Sequence, residues 1–175
     1  MPSTLVLTVI GPDQPGLVET LSATVAEHGG SWEGSRMARL AGQFAGILEV
    51  QLPSEKVGAL NAALGRLGSR GLRVQIEEAG GRHEISTDRF LRLDLVGQDR
   101  PGIVREISGV LAAAGVNVIE LSTECASAPM SGEMLFSASA RLHCPADQSI
   151  EALRDRLETL ADELMVDVTL DSATE

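Results

Sequence analysis

The chain has 175 residues, 43% of them apolar, with a formal net charge of −11 and a pI near 4.7. That apolar content supports a packed interior, while the net negative charge repels phosphate backbones and anionic lipid and argues against direct contact with nucleic acid or a membrane surface. No run approaches the roughly 18 apolar residues of a membrane span, the first apolar run stops at Gly11 without a basic start, and the expected compartment is the cytoplasm.

In chain order, Leu5, Leu7 and Val9 alternate at the period of one sheet face and predict a strand over Thr4–Ile10. The turn Gly11-Pro12-Asp13-Gln14-Pro15-Gly16 leads into a helix predicted from Pro15 to about His28. Pro15 suits a first helical turn, where its missing N–H would lack a partner anyway. Leu17, Val18, Leu21 and Val25 form the apolar stripe, and Gly29-Gly30 stop the helix. Strands over Ser31–Leu40 and Gln43–Leu52 follow, joined at Ala41-Gly42. Ser54 is expected to cap a second helix that ends near Gly68, and Leu72–Glu77 closes the unit as a strand.

Residues 78–88 have no apolar period and contain a glycine pair, so they read as a linker between domains at 1–77 and 89–175. Beyond them the pattern recurs. Gly97-Gln98-Asp99-Arg100-Pro101-Gly102-Ile103-Val104 repeats Gly11–Val18 at an offset of 86, with eight identities in the nineteen positions up to Gly115. Leu91, Leu93 and Leu95 repeat the first strand. Val57, Leu60, Leu64 and Leu67 recur as Ile150, Leu153, Leu157 and Leu160 at an offset of 93, which places seven extra residues in the second copy, at a hairpin tip near 126–132. Leu72, Val74 and Ile76 recur as Val166, Val168 and Leu170 at 94, a further slip of one residue in the last helix-to-strand turn.

The expected fold is therefore α+β: two ferredoxin-like βαββαβ units, each an antiparallel sheet with two helices on one face. Units joined by so short a linker meet at high effective concentration, which favours an intramolecular pair. On the sheet face away from the helices, the first strand of copy one carries Val6, Thr8 and Ile10, whereas copy two carries Arg92, Asp94 and Val96. This asymmetry predicts that only copy one covers that face, against the other copy or against a second chain in a homo-oligomer.

Catalysis finds no carrier. His28, His83 and His143 lie in different elements without Cys, Asp or Glu at ligand spacing, and read as surface or capping residues. Cys125 and Cys144 read as two free thiols. Glu151, Asp155, Glu158, Asp162 and Glu163 read as a solvated helix face. No nucleophile–base pair, phosphate loop or dinucleotide motif is present, so neither catalytic residue, metal nor cofactor is expected.

What remains is the repeated Asp-x-Pro-Gly between first strand and first helix. A helix N-terminus offers unpaired N–H groups and the positive end of the peptide dipole, a site suited to a carboxylate. Gly16 and Gly102 would let a ligand come close, at a cost of about 1 kcal/mol each if they lie inside the helix. Asp13 and Asp99 have two readings: each caps its own helix, or each takes the ammonium of an α-amino acid whose carboxylate rests on the helix. Asn117, with Ser31 at its place in copy one, is either a partner for an amino-acid main chain or a turn residue.

The paired Asp-x-Pro-Gly-hydrophobic-Val turns, the helix endings Ala26-Glu27-His28-Gly29-Gly30 and 112–118, and the tandem layout resemble the ACT-domain proteins, and among them the two-domain glycine cleavage system transcriptional repressor group, over about Thr4 to Leu170. The resemblance implies sensing of a small amino acid, glycine foremost, and repression through contact with a LysR-type transcription activator rather than with DNA. It carries ligand-binding roles onto Gly11, Asp13, Gln14, Pro15, Gly16 and Leu17, onto Gly97, Asp99, Arg100, Pro101, Gly102 and Ile103, and onto Asn117. The hairpin at 126–132 and the acidic tail from Asp167 correspond to no ligand or partner role. A regulatory subunit giving feedback control to an amino-acid metabolic enzyme is the alternative, sharing fold and site. An RNA-binding platform of the same topology would need sheet aromatics and positive charge, against no Tyr, three Phe and one Trp here, and a small ferredoxin-like enzyme would need a base, nucleophile or metal set.

Overall fold

The computed structural model describes residues 2–80, 89–129 and 131–173, which form two compact units, one on each side of residues 81–88. Most of the expected linker, with His83, lies outside the described residues. In the first unit β1 (Pro2–Pro12) turns Leu5, Leu7 and Val9 to one face, where all three are fully buried. It is followed by α1 (Leu17–Glu27), β2 (Ser31–Leu40), β3 (Gln43–Pro53), α2 (Val57–Arg66) and β4 (Arg73–Glu78). The sheet runs β2-β3-β1-β4, antiparallel throughout. Leu17, Leu21 and Val25 of α1 and Leu60 and Leu64 of α2 cover one face of it, as their helical spacing requires.

The second unit repeats this with β5 (Arg89–Gln98), α3 (Ile103–Ala113), β6 (Asn117–Ser127), β7 (Met134–Cys144), α4 (Ile150–Leu164) and β8 (Val166–Ser172), in the order β6-β7-β5-β8. Its core is its own: Leu91, Leu93 and Leu95 lie under Ile103, Ile107 and Leu111 of α3 and Leu153 and Leu157 of α4. Each unit is thus the expected βαββαβ fold. The edge strands β2 and β6 each carry a bulge at the same repeat position, Glu33 between Trp32 and Gly34 and Ile119 between Val118 and Glu120. Among the described residues no helix is long and apolar enough to cross a membrane.

The first helix of each unit starts later than its proline predicts. Gly16 and Gly102 stand at the N-caps of α1 and α3 with φ of 89° and 99°, a backbone that only glycine takes without strain. Pro15 and Pro101 therefore precede the helix, and the glycines carry no helix-interior penalty. Ser54 opens a 3-10 turn over Ser54–Lys56 ahead of α2, with its hydroxyl 2.8 Å from that of Ser3, and Lys56, which directly precedes Val57, makes no side-chain cap bond. In the second unit Ser149 does cap, accepting from the Ala152 N–H at 3.2 Å.

The outer sheet faces differ in the side chains they present. Ile10 is 36% and Ile47 52% exposed on the first. On the second, Arg92 Nε donates to the Asp94 carboxylate at 2.7 Å. That bond, with help from Ser139, holds the Asp94 carboxyl below the usual range.

The hairpin takes six of the seven extra residues rather than all of them, because Arg39 and Cys125 lie opposite Phe44 and Phe136; the seventh falls between β7 and α4. The one-residue slip before the last strand has a concrete form. In the first unit the chain leaves a 3-10 turn (Leu67–Arg70) through Gly71 at φ 85°, whereas in the second α4 runs for 15 residues into Met165 at φ 53°. Met165 is 78% exposed, so its side chain contributes little packing to set against a left-handed backbone. Met165→Gly is expected to raise the unfolding free energy by roughly 1 kcal/mol, read as a higher urea midpoint at unchanged m-value.

Candidate functional site

Each Asp-x-Pro-Gly turn leaves the end of a central strand and is fastened to the neighbouring hairpin by one backbone bond. The Asp13 N–H donates to the Gly42 carbonyl and the Asp99 N–H to the Met134 carbonyl, both at 2.9 Å. Beyond the turn, neither α1 nor α3 receives a side-chain cap. The first N–H groups of an uncapped helix have no partner inside it. This settles the two readings of the aspartates against capping and leaves each carboxylate beside a helix end of positive dipole.

The carboxylates have different neighbours. Arg39 Nε donates to Asp13 Oδ2 at 2.8 Å across the mouth of the first turn. In the second unit Asp99 lies close enough to Cys125 to act on its thiol, and among the described residues no lysine or arginine pairs with Asp99. Arg39 and Cys125 hold one position in the repeat: Arg39 lies opposite Phe44, itself opposite Gly11, and Cys125 lies opposite Phe136, itself opposite Gly97. Loss of water around the thiol and the nearby Asp99 carboxylate together push Cys125 above the ordinary thiol range.

The residues carried over from the resemblance separate into three groups. Asp13, Gln14, Pro15 and Gly16 are exposed together at the first turn, as are Asp99, Arg100, Pro101 and Gly102 at the second. Gln14 steadies its turn by donating from Nε2 to the Arg70 carbonyl at 3.3 Å. Leu17 and Ile103 are buried in the cores behind. Gly11 and Gly97 are packing positions: a Cβ on Gly11 would stand 2.5 Å from the Gly71 carbonyl oxygen, and one on Gly97 2.3 Å from Val166 Cγ1.

Asn117 pairs with His143 at the opposite end of β6 from Cys125, roughly 26 Å away at about 3.3 Å per residue. It does not join the Asp99 turn within its own unit. Arg39 and Cys125 are the residues the sequence reading overlooked, although the 86-residue offset already paired them. The histidines with described positions stay apart, His28 on the Thr24 carbonyl at 2.8 Å and His143 against the Phe90 ring. No group of three or more His, Cys, Asp or Glu among the described residues is placed to hold a metal.

A family model for the ACT domain matches residues 3–77 and again 89–171. The glycine cleavage system transcriptional repressor of Escherichia coli (strain K12) is 24% identical over 166 residues, 91% of this chain and 85% of that protein. A crystal structure of a protein of unknown role from Galdieria sulphuraria superposes with a TM-score of 0.84 at 30% identity, covering 99% of this chain and all of that one. Another, provisionally described as a glycine cleavage system transcriptional repressor, shares the fold with a TM-score of 0.73 at 19% identity, covering 100% of this chain and 99% of that one.

Two measurements probe this geometry. Cys144 is buried and Cys125 exposed, so iodoacetamide on the native protein should label Cys125 alone, more slowly at pH 8 than a free thiol. Asp99→Asn should remove the adjacent charge, lower the thiol pKa and speed labelling, with the rate–pH curve moving to lower pH; an unmoved curve would refute the pairing. Gly11→Ala should destabilise by about 1–3 kcal/mol in chemical denaturation, since backbone must shift to admit the methyl group.

Proposed function

This chain belongs to the ACT-domain family, with two such domains in tandem, and from that premise we propose a non-catalytic, amino-acid-sensing regulator that acts through a protein partner rather than on DNA. The observation that supports it is an arrangement present twice: an exposed aspartate beside a helix N-terminus that no side chain caps. An α-amino acid presents the opposite pair. Its carboxylate would accept from the first-turn N–H groups and gain from the helix dipole, and its ammonium would donate to Asp13 or Asp99.

Glycine is the first ligand to test, in keeping with the name of the E. coli relative, and a LysR-type transcription activator in the cytoplasm is the first partner. The formal charge of −11 favours a protein partner over a phosphate backbone. Regulation follows if the amino acid binds two arrangements of the protein with different affinity and the partner reads the favoured one.

The direct test is thermal unfolding of the protein against each of the twenty amino acids, with Asp13→Ala and Asp99→Ala alongside. A ligand at a hundred times its Kd is expected to stabilise by about 2.7 kcal/mol, a shift of several degrees that the relevant aspartate variant removes. If no amino acid shifts the transition, the turns are not ligand sites and the sensing reading fails. In affinity capture, recovery of a transcription activator supports the repressor role and recovery of a metabolic enzyme the feedback-subunit role.

A further inference from the structure

We propose that the second unit binds an amino acid with an aliphatic side chain, seated in an apolar cleft between α3 and β6 for which the first unit has no room. The inference rests on the amino-acid reading above and adds the class of ligand and the unit that takes it. The cleft is open to solvent on one side, and its wall is almost wholly carbon, including Leu95, Ile103, Ile107, Val118, Phe136 and Ala140. One end reaches Ile103 and Val104, the first residues of α3. There Phe136 lies opposite Cys125, the neighbour of Asp99. The cleft is thus lined by the two residues that follow the Asp99 turn in the chain and by the strand partner of Cys125.

The first unit has the same backbone and a different filling. Trp32 stands where the second unit has Val118, and Leu48, 1% exposed, where it has Ala140. Met37 lies across Gly46, so that a Cβ there would meet Met37 Cγ at 2.5 Å, while the second unit has Thr123 and Ala138. Trp32 and Met37 both pack on the first core. Asp13 is also held by Arg39, with which an incoming ammonium must compete, whereas Asp99 has no such rival among the described residues. The first turn is thereby confined to a ligand of glycine size.

In the second unit glycine would leave the cleft unfilled. A polar or charged side chain would lose its water there without a partner. Leucine, isoleucine, valine or methionine would bury an apolar side chain while the two charges at the mouth fix its main chain.

Isothermal titration calorimetry on the full chain tests this, using leucine, isoleucine, valine, methionine, glycine and aspartate against the wild type, Ala140→Leu and Val118→Trp. The two variants install the first unit's residues, and circular dichroism with thermal unfolding reports whether each is folded. Aliphatic amino acids are expected to bind the wild type, and each filling variant to weaken that binding about ten- to a hundredfold, with any glycine binding at the first turn as the internal control. If glycine binds and no aliphatic amino acid does, or if aliphatic binding survives both substitutions, the proposal is wrong and the sensing reading stands. If no amino acid binds the wild type, both fall together. If the substitutions change the sedimentation coefficient and leave aliphatic binding intact, the cleft is an interface between copies of the chain, which also overturns the proposal. Should a variant not fold, the wild-type series of aliphatic side chains against glycine and aspartate decides alone.

Discussion

Each unit depends on the register of one central strand. β1 is bonded to β3 on one side and β4 on the other, and β5 to β7 and β8, so each sets the alignment of three strands at once. Leu5, Leu7 and Val9, or Leu91, Leu93 and Leu95, reach the core only in that alignment, and a slip of one residue would send them to solvent. The same constraint places the turn at the strand's end. Gly11 meets the turn that precedes β4, Gly97 meets the start of β8, and the next residues must leave toward the hairpin, where the Asp13 or Asp99 N–H finds a carbonyl. The aspartates are positioned by the sheet rather than by the helices they precede.

Much of this was legible in the residues because it depends on local period. Alternating leucines placed the central strands, helical stripes placed the helices, and the repeat showed that one unit had been written twice. Helix starts were less legible. Proline is compatible with a first turn but does not compel one, and the positive φ of Gly16 and Gly102 moves the boundary past it. Ser54 stands ahead of α2 in a 3-10 turn with its hydroxyl against that of Ser3, a neighbour supplied by the register of β1 with β3. The partners of the aspartates were invisible for the same reason, because Arg39 and Cys125 reach the turns only once the hairpins are paired. Asn117 shows the converse: its place just after the helix says nothing about which end of β6 lies near the Asp99 turn.

The two units show how a duplicated fold can keep its backbone and change what it encloses. A core filled to native density has no space for a guest, and a few reductions in side-chain size along one seam are enough to open one. Trp32 against Val118 and Leu48 against Ala140 are such changes, on strands whose pairing is otherwise the same. Arg39 against Cys125 changes the charge at the mouth by one unit. Differences of this kind separate two sites chemically without disturbing the sheets that hold them.

The unequal filling and the paired edge bulges also bear on how the chain avoids tangling with itself. Two neighbouring stretches with nearly the same strand pattern can exchange partners while folding, a characteristic failure of tandem repeats. Inserting β2 into the second sheet would force Trp32 into a space shaped for Val118, and inserting β6 into the first would leave a void beside Val50. The six additional residues of the second hairpin would misalign its tip in either exchange. Bulges at Glu33 and Ile119 twist the β2 and β6 edges away from a flat template, which discourages strand recruitment there by another molecule. Divergence between the copies thus acts as a proofreading device during folding, making the correct pairing the one without voids or clashes.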